Sequence, residues 1–270
     1  MSLSLQTAAV VLGKDPNPYR PDERLLAYQA DLFRPFGVDV EEALLAEGPN
    51  ITFAELAEDL LDAVPHPVSS PDLIIVAYGL PDCYPFKTTA SHLDQLLGGG
   101  SYCFAVSEQG LRAPFTALRV AKAFARSGRC ASLTLFVLEQ TTFPYHEPLS
   151  HDTPLVDSGV LLAFGDQGTY EIAELRSGRD GEPLGATLCT VPDDALVVAG
   201  PWTDAAEVAG FGRPVHRVAS GSYCTSVWLD LARHHRTWAE HHPTLVLCDT
   251  DPRSGLSQAA VLRRRADGLA

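Results

Sequence analysis

Apolar residues fall into two rhythms along this chain. The first is a set of short runs of strand length: 6–12 (QTAAVVL), 73–78 (LIIVAY), 131–138, 159–165 (GVLLAFG), 195–199 (ALVVA), 244–248 and 257–264 (SQAAVLRR). Runs that are apolar throughout suit strands covered on both faces, as in a sheet with helices on each side. The second rhythm is helical. Leu25, Leu26, Tyr28 and Leu32 place a helix over 22–33, and Thr52 followed by Glu55 is a capping box opening a helix to about Val64. A shorter helix from about Thr88 to Leu97 stops at Gly98-Gly99-Gly100. The central stretch, Ser101 to Gly128, reads as a short buried strand (Tyr102–Val106), a tight turn at Gly110 and a long helix from near Leu111. Thr141 to Asp157 reads as a polar loop with three prolines.

The second part of the chain repeats this order. Residues 169–176 and 184–190 read as strands, joined as a hairpin across Gly178–Gly181. A helix over 203–209 and a strand over Val215–Ala219 follow, and Ser222 opens a helix to about His235, with Val227, Trp228, Leu231 and Ala232 at helical spacing. Two passes of one pattern argue for an internal duplication, with halves 1–167 and 168–270. The second pass is shorter. Between Val191 and Asp194 there is no room for the counterpart of the helix Thr52–Val64, so one layer of the second half is expected to be incomplete and to leave a pocket open on that side.

Charge narrows the partners. The chain has 34 acidic and 20 basic residues, a formal charge of −14. Such a surface disfavours nucleic acid and anionic membranes, and an acidic carrier protein could dock only on a local basic patch. No apolar run approaches membrane-spanning length, and the N-terminus lacks the basic start of a secretory signal. Six cysteines lie far apart with no CxxC, the pattern of buried free thiols in a cytoplasmic protein.

Four segments in order then resemble the thiolase superfamily, and within it ketoacyl-acyl carrier protein synthase III and its relatives. Asp72-LIIVAYGLPDCYP resembles the family's strand and following loop. Gly110-LRAPFTAL is similar to the helix that carries the nucleophilic cysteine. Asp157-SGVLLAFG resembles the strand that closes the first half, and SGSYCTSVWLDLA (220–232) the Asn-bearing segment and its helix. The resemblance implies a duplicated α/β fold of two βαβαβ-type halves, layered α-β-α-β-α, with the second half shortened. It also implies dimerisation through the strand Tyr102–Val106.

The chemistry of such enzymes needs Cys, His and Asn: a thiolate takes the acyl group, and the other two donate hydrogen bonds to the developing oxyanion. Counting from the matched segments places these at Leu111, Gly200 and Gly221. Leucine has no nucleophilic atom and glycine no side-chain donor. Standard condensation is therefore not expected of this chain.

Other residues carry side chains that chemistry could use. Ser107 lies in the turn before Leu111 and would need a base within reach. Cys224 near a helix start could have a lowered pKa from the helix dipole. His146, in the loop 141–157 with His151, Glu147 and Asp152, could serve as a base beside an acyl pocket. Each also has a structural reading: a turn residue, a core thiol, a solvated loop. The same holds for Cys103, as a core thiol, and His216, as a partnered core histidine. His234, His235, His241 and His242 resemble a metal site but straddle a predicted helix end without a cysteine, so neither metal nor cofactor is expected. Three functions follow. The first is a non-catalytic subunit pairing with an active synthase or acyltransferase in acyl or polyketide assembly, as a homo- or heterodimer. The second is an acyltransferase or thioester hydrolase using non-standard residues. The third is a protein that binds an acyl-carrier or acyl-coenzyme A thioester without reaction.

Overall fold

A computed structural model describes residues 3–68, 70–179 and 182–265. In the first half β1 (Ser4–Leu12) is followed by α1 (Glu23–Phe33), α2 (Glu42–Glu47), α3 (Phe53–Ala63), β2 (Leu73–Tyr78), α4 (Thr89–Leu96), β3 (Tyr102–Val106), α5 (Ala113–Arg126), β4 (Leu133–Glu139), α6 (Pro148–His151) and β5 (Ser158–Gly165). The second half has β6 (Tyr170–Ser177), α7 (Leu184–Thr187), β7 (Leu196–Ala199), α8 (Ala205–Ala209), β8 (Val215–Arg217), α9 (Ser226–His241), β9 (Thr244–Thr250) and β10 (Ser257–Arg264).

The strands order as β3-β2-β4-β5-β1-β6-β10-β9-β7-β8. Read from each edge, the two halves match. β2 runs parallel to β3 and β4, β5 is antiparallel to β4, and β1 is antiparallel to β5. In the same way β7 is parallel to β8 and β9, β10 antiparallel to β9, and β6 antiparallel to β10. Side-chain alternation builds the layers. Leu73, Ile75 and Ala77 of β2, and Leu196 and Val198 of β7, face a central core with α5 and α9. Ile74 and Val76 face outward to Phe53, Leu56, Leu60, Ala90 and Leu93 of α3 and α4. Val197 and Ala199 face the outer layer of the second half, Leu184, Leu188, Val191 and Val208. The two central helices lock through Phe115 and Trp228, ring centroids 4.9 Å apart. Full burial of each such side chain contributes about 1.5–3 kcal/mol.

The capping box at Thr52 is present, with Thr52 Oγ1 accepting from the Glu55 N–H while the Glu55 carboxylate accepts from the Thr52 N–H. Several expectations need correction. The strand Tyr102–Val106 is not buried: β3 is the sheet edge, and Tyr102 is 60% exposed. Its apolar side chains mark an edge with neighbours on one side only. Residues 184–190 are not a strand. Pro183 opens the short helix α7, and Leu184, Leu188 and Val191 are buried at spacings of four and three, the helical interval. The proposed hairpin there includes Asp180 and Gly181, which lie outside the described residues. On the outer face of the second half, the four-residue α7 stands where the first half has the eleven-residue α3, a shorter layer in line with the count of residues.

The last long helix starts at Ser226, not Ser222, and runs past His235 to His241. Residues 222–225 form a turn whose backbone donors are taken by a carboxylate from β4, described below. The helix end falls within the second histidine pair: His234, His235 and His241 lie within α9, His242 is its C-cap, and His235 is buried with Nδ1 beside the Ala232 carbonyl. The segment 141–157 is not simply a solvated loop. It contains α6 and buries Phe143, Glu147 and Leu149.

Candidate functional site

Ligands of open α/β sheets collect where the carboxyl ends of parallel strands meet helix starts. Here those ends are Gly79 after β2, the turn 107–110 after β3, Glu139 at the end of β4, Gly200 after β7, and Asp249 to Asp251 at the end of β9. The starts of α5 and α9 point at the same region. Leu111 lies at one edge of it, Gly200 at another, and Gly221 on the turn before α9.

The interior is filled with hydrogen-bonded side chains. Tyr223 has no exposed surface, and its hydroxyl donates to Asp251 Oδ2 at 2.8 Å. The Leu111 N–H donates to the same oxygen at 3.2 Å. Asp251 Oδ1 accepts from the N–H groups of Arg253 and Ser254, so one carboxylate ties the β9–β10 turn to the start of α5. Gly110, at φ +55°, has no alternative there: a β-carbon would overlap both Asp251 and the Tyr223 hydroxyl.

Gly200 is closed in the same way. A β-carbon on it would overlap the carboxylate of Asp249. Asp249 has no exposed surface and accepts from Trp202 N–H (3.2 Å), Thr203 Oγ1 (3.2 Å), Thr250 N–H (2.9 Å) and Ser226 Oγ (3.1 Å). Burial pushes its pKa up to about 7 against the pull of those bonds. Glu139 is likewise buried, and accepts from the N–H groups of Tyr223 and Cys224. Burial, with a smaller contribution from the Asp157 carboxylate, pushes it up to about 7.

Trp202 bridges the two carboxylate clusters. Its ring packs edge-on against Tyr223 (centroids 5.9 Å apart) and its indole N–H donates to the Ser222 carbonyl at 2.9 Å. Over the site, the 141–157 segment is strapped down by the Val156 N–H donating to the Gly221 carbonyl at 3.0 Å and by the ion pair of Arg253 with Glu147.

Of the three positions inferred from the resemblance, Leu111 is tied to Asp251, Gly200 is closed by Asp249, and Gly221 carries the bond from Val156; none has a reactive side chain. The other candidates fare differently. Cys224 is 1% exposed, two residues before α9, and burial followed by the nearby Glu139 charge pushes its thiol well above its ordinary value. This is the opposite of helix-dipole activation. Ser107 is half-buried, beside Glu108, whose φ of +60° marks a strained turn. Gln109 bonds Thr116 rather than the turn backbone, its Oε1 accepting at 2.6 Å. His146 is exposed, 3.1 Å from Asp152 and stacked on His151 with centroids 5.1 Å apart, on the outer side of the strap. Cys103 is partly buried against the α3–α4 layer, and His216 bonds Asp230 at 2.7 Å. No group of three or more metal-ligating side chains occurs among the described residues.

Sequence reasoning missed Glu139, Asp249, Asp251 and Tyr223. A signal was present: an acidic residue closes each of two apolar strands, LTLFVL-Glu139 and TLVLC-Asp249. An acid at the carboxyl end of a parallel strand is well placed to bond a helix start.

The doubled strand order around two central helices is the thiolase-type α/β fold of ketoacyl synthase III-like enzymes. Among solved structures, the chain is similar to 3-oxoacyl-(acyl carrier protein) synthase III from Pseudomonas aeruginosa PAO1, at 14% identity and a TM-score of 0.65, over 98% of each chain. It is similar to the tetronic acid condensing enzyme AbyA1, at 15% identity and TM-score 0.62, over 97% of this chain and 99% of that one. It is also similar to the acyltransferase ChlB3, at 13% identity and TM-score 0.62, over 98% of both. No family model and no curated protein sequence matches the chain.

Proposed function

We propose that this chain is a non-catalytic thiolase-fold subunit that pairs through β3 with an active synthase or acyltransferase in acyl or polyketide assembly. One observation carries the reading: the Asp249 carboxylate occupies the space that a side chain at position 200 would need, while position 111 holds a core leucine whose backbone N–H is tied to Asp251. The network is satisfied from within, so the fold keeps its shape without a substrate. The fold's relatives include condensing and acyl-transferring enzymes, which supports an acyl thioester setting.

The pairing rests on β3. It bonds β2 on one side only, and Tyr102 and Phe104 pack together on Phe124 at the open edge. An exposed edge with aromatic side chains invites a second strand. The six free cysteines support a reducing compartment such as the cytoplasm. The matched strand order supports reading 1–167 and 168–270 as the two halves of a duplication.

Incubation with a panel of short and medium acyl-coenzyme A thioesters tests the reading. The intact mass is expected to stay unchanged and no free thiol to be released. A covalent acyl adduct, or turnover lost in Ser107→Ala, would show a working enzyme instead.

A further inference from the structure

Although the chain is strongly acidic, four of its twenty basic residues converge at the end of α5 farthest from Leu111. Lys122, Arg126 and Arg263 line a concave cleft of about 320 Å³ with Leu3, Glu171 and Ile172. Arg119, one turn earlier on α5, donates to Ser177 Oγ at 2.9 Å and continues the row. Lys122 is anchored by donating to the Ala173 carbonyl, which fixes its charge at the floor of the cleft. Among the described residues, the acids on this face are Glu171, which is engaged, and Glu174, which pairs with Arg176 at 2.7 Å, and both act on Lys122. The remaining balance is positive. Burial and the neighbouring Arg126 charge hold the Lys122 pKa below its ordinary value, as expected where cations crowd.

The arrangement is too long for one phosphate. Arg119 to Arg126 spans seven residues, about 10 Å at 1.5 Å per residue. Along the helix the row runs from about 12 Å (Arg119) to about 22 Å (Arg126) from Leu111, so it does not serve the filled site. We propose that this face docks an acidic peptide segment of a partner protein, with carboxylates spaced to meet Arg119, Lys122, Arg126 and Arg263. The inference does not depend on whether the strand-end site is inert.

The test is fluorescence anisotropy of the full chain with a labelled helical peptide carrying Glu at i, i+4 and i+7, against a control with Gln at those positions. The expected result is binding of the Glu peptide only, weakened about tenfold between roughly 50 and 300 mM salt by charge screening. Arg126→Glu with Arg263→Glu should weaken it at least tenfold. Both residues are exposed, and circular dichroism confirms that the variant is folded. Arg126→Gln with Arg263→Gln should give an intermediate loss. Four outcomes each overturn the proposal. They are no binding at low salt, equal binding by the variants, displacement by equimolar inorganic pyrophosphate (a small-anion site), or self-association that the same reversals abolish (a second copy in the cleft).

Discussion

Asp249 has no contact with solvent, yet four donors converge on it. Such a carboxylate is costly to bury and holds its place only because every neighbour bonds to it. Its oxygen sits where a β-carbon on Gly200 would go. Gly200→Ala is therefore expected to destabilise by about 1–3 kcal/mol or more through overpacking. Asp249→Ala makes room but strands Trp202, Thr203 and Ser226 without an acceptor. The double variant should lose clearly less than the sum of the two, because one clash is counted in only one background. Chemical denaturation of the four proteins measures this; strict additivity would show that Gly200 and Asp249 do not share the space. At Gly110 the same logic applies with Asp251 and Tyr223, and positive φ adds a backbone penalty.

At the scale of elements, the edge strand and the last helix show how position changes meaning. β3 pairs with β2 alone, so its five residues contribute little to the core on their open side. Replacing Tyr102 and Ala105, both exposed, by lysine is expected to abolish association while leaving the thermal midpoint within a few degrees. Sedimentation velocity reads the association, and an unchanged assembly would rule out β3 as the pairing edge. Before α9, the Glu139 carboxylate accepts from the backbone N–H groups of 223 and 224. The turn 222–225 is thus held by another strand's side chain, which local sequence around it does not reveal. α7 makes the same point differently. The stretch 184–190 reads as a strand by composition, but Leu184 to Thr187 form one helical turn, and Leu184, Leu188 and the following Val191 are buried.

For the whole molecule, the buried acids set the response to pH. Glu139 and Asp249 are pushed up to about 7 when folded, against about 4 for free carboxyls. Between those values the folded state holds protons that the unfolded state releases. Stability from these groups is full below about 4 and is lost as pH rises through about 7. Asp82 and Asp157, each pushed up to about 6 by burial, act in the same direction. Glu55, Glu58, Asp72 and Glu174 lie below their ordinary values and act the other way, losing their contribution as pH falls through their folded values. The net expectation is a thermal midpoint higher near pH 5.5 than near pH 8, with Asp249→Asn flattening the difference. A midpoint that rises with pH over this range would contradict the burial of these carboxylates. The formal charge of −14 adds to the trend, since self-repulsion also grows with pH.

By itself the amino-acid sequence determined the periodicity, and with it most elements. Apolar runs such as LIIVAY and ALVVA read as covered strands and are strands, and Thr52 with Glu55 states a helix start in four residues. These signals are local, so they survive without knowledge of neighbours. The absence of Cys, His and Asn at Leu111, Gly200 and Gly221 is equally local. Tertiary structure alone decided what fills that space. Glu139 lies 84 residues from Tyr223, Leu111 lies 140 from Asp251, and Gly200 meets Asp249 only because β7 and β9 run side by side. Burial set the acidity of those groups, and edge position exposed a strand whose composition looks buried. Both depend on what lies across the sheet, which no stretch of sequence carries alone.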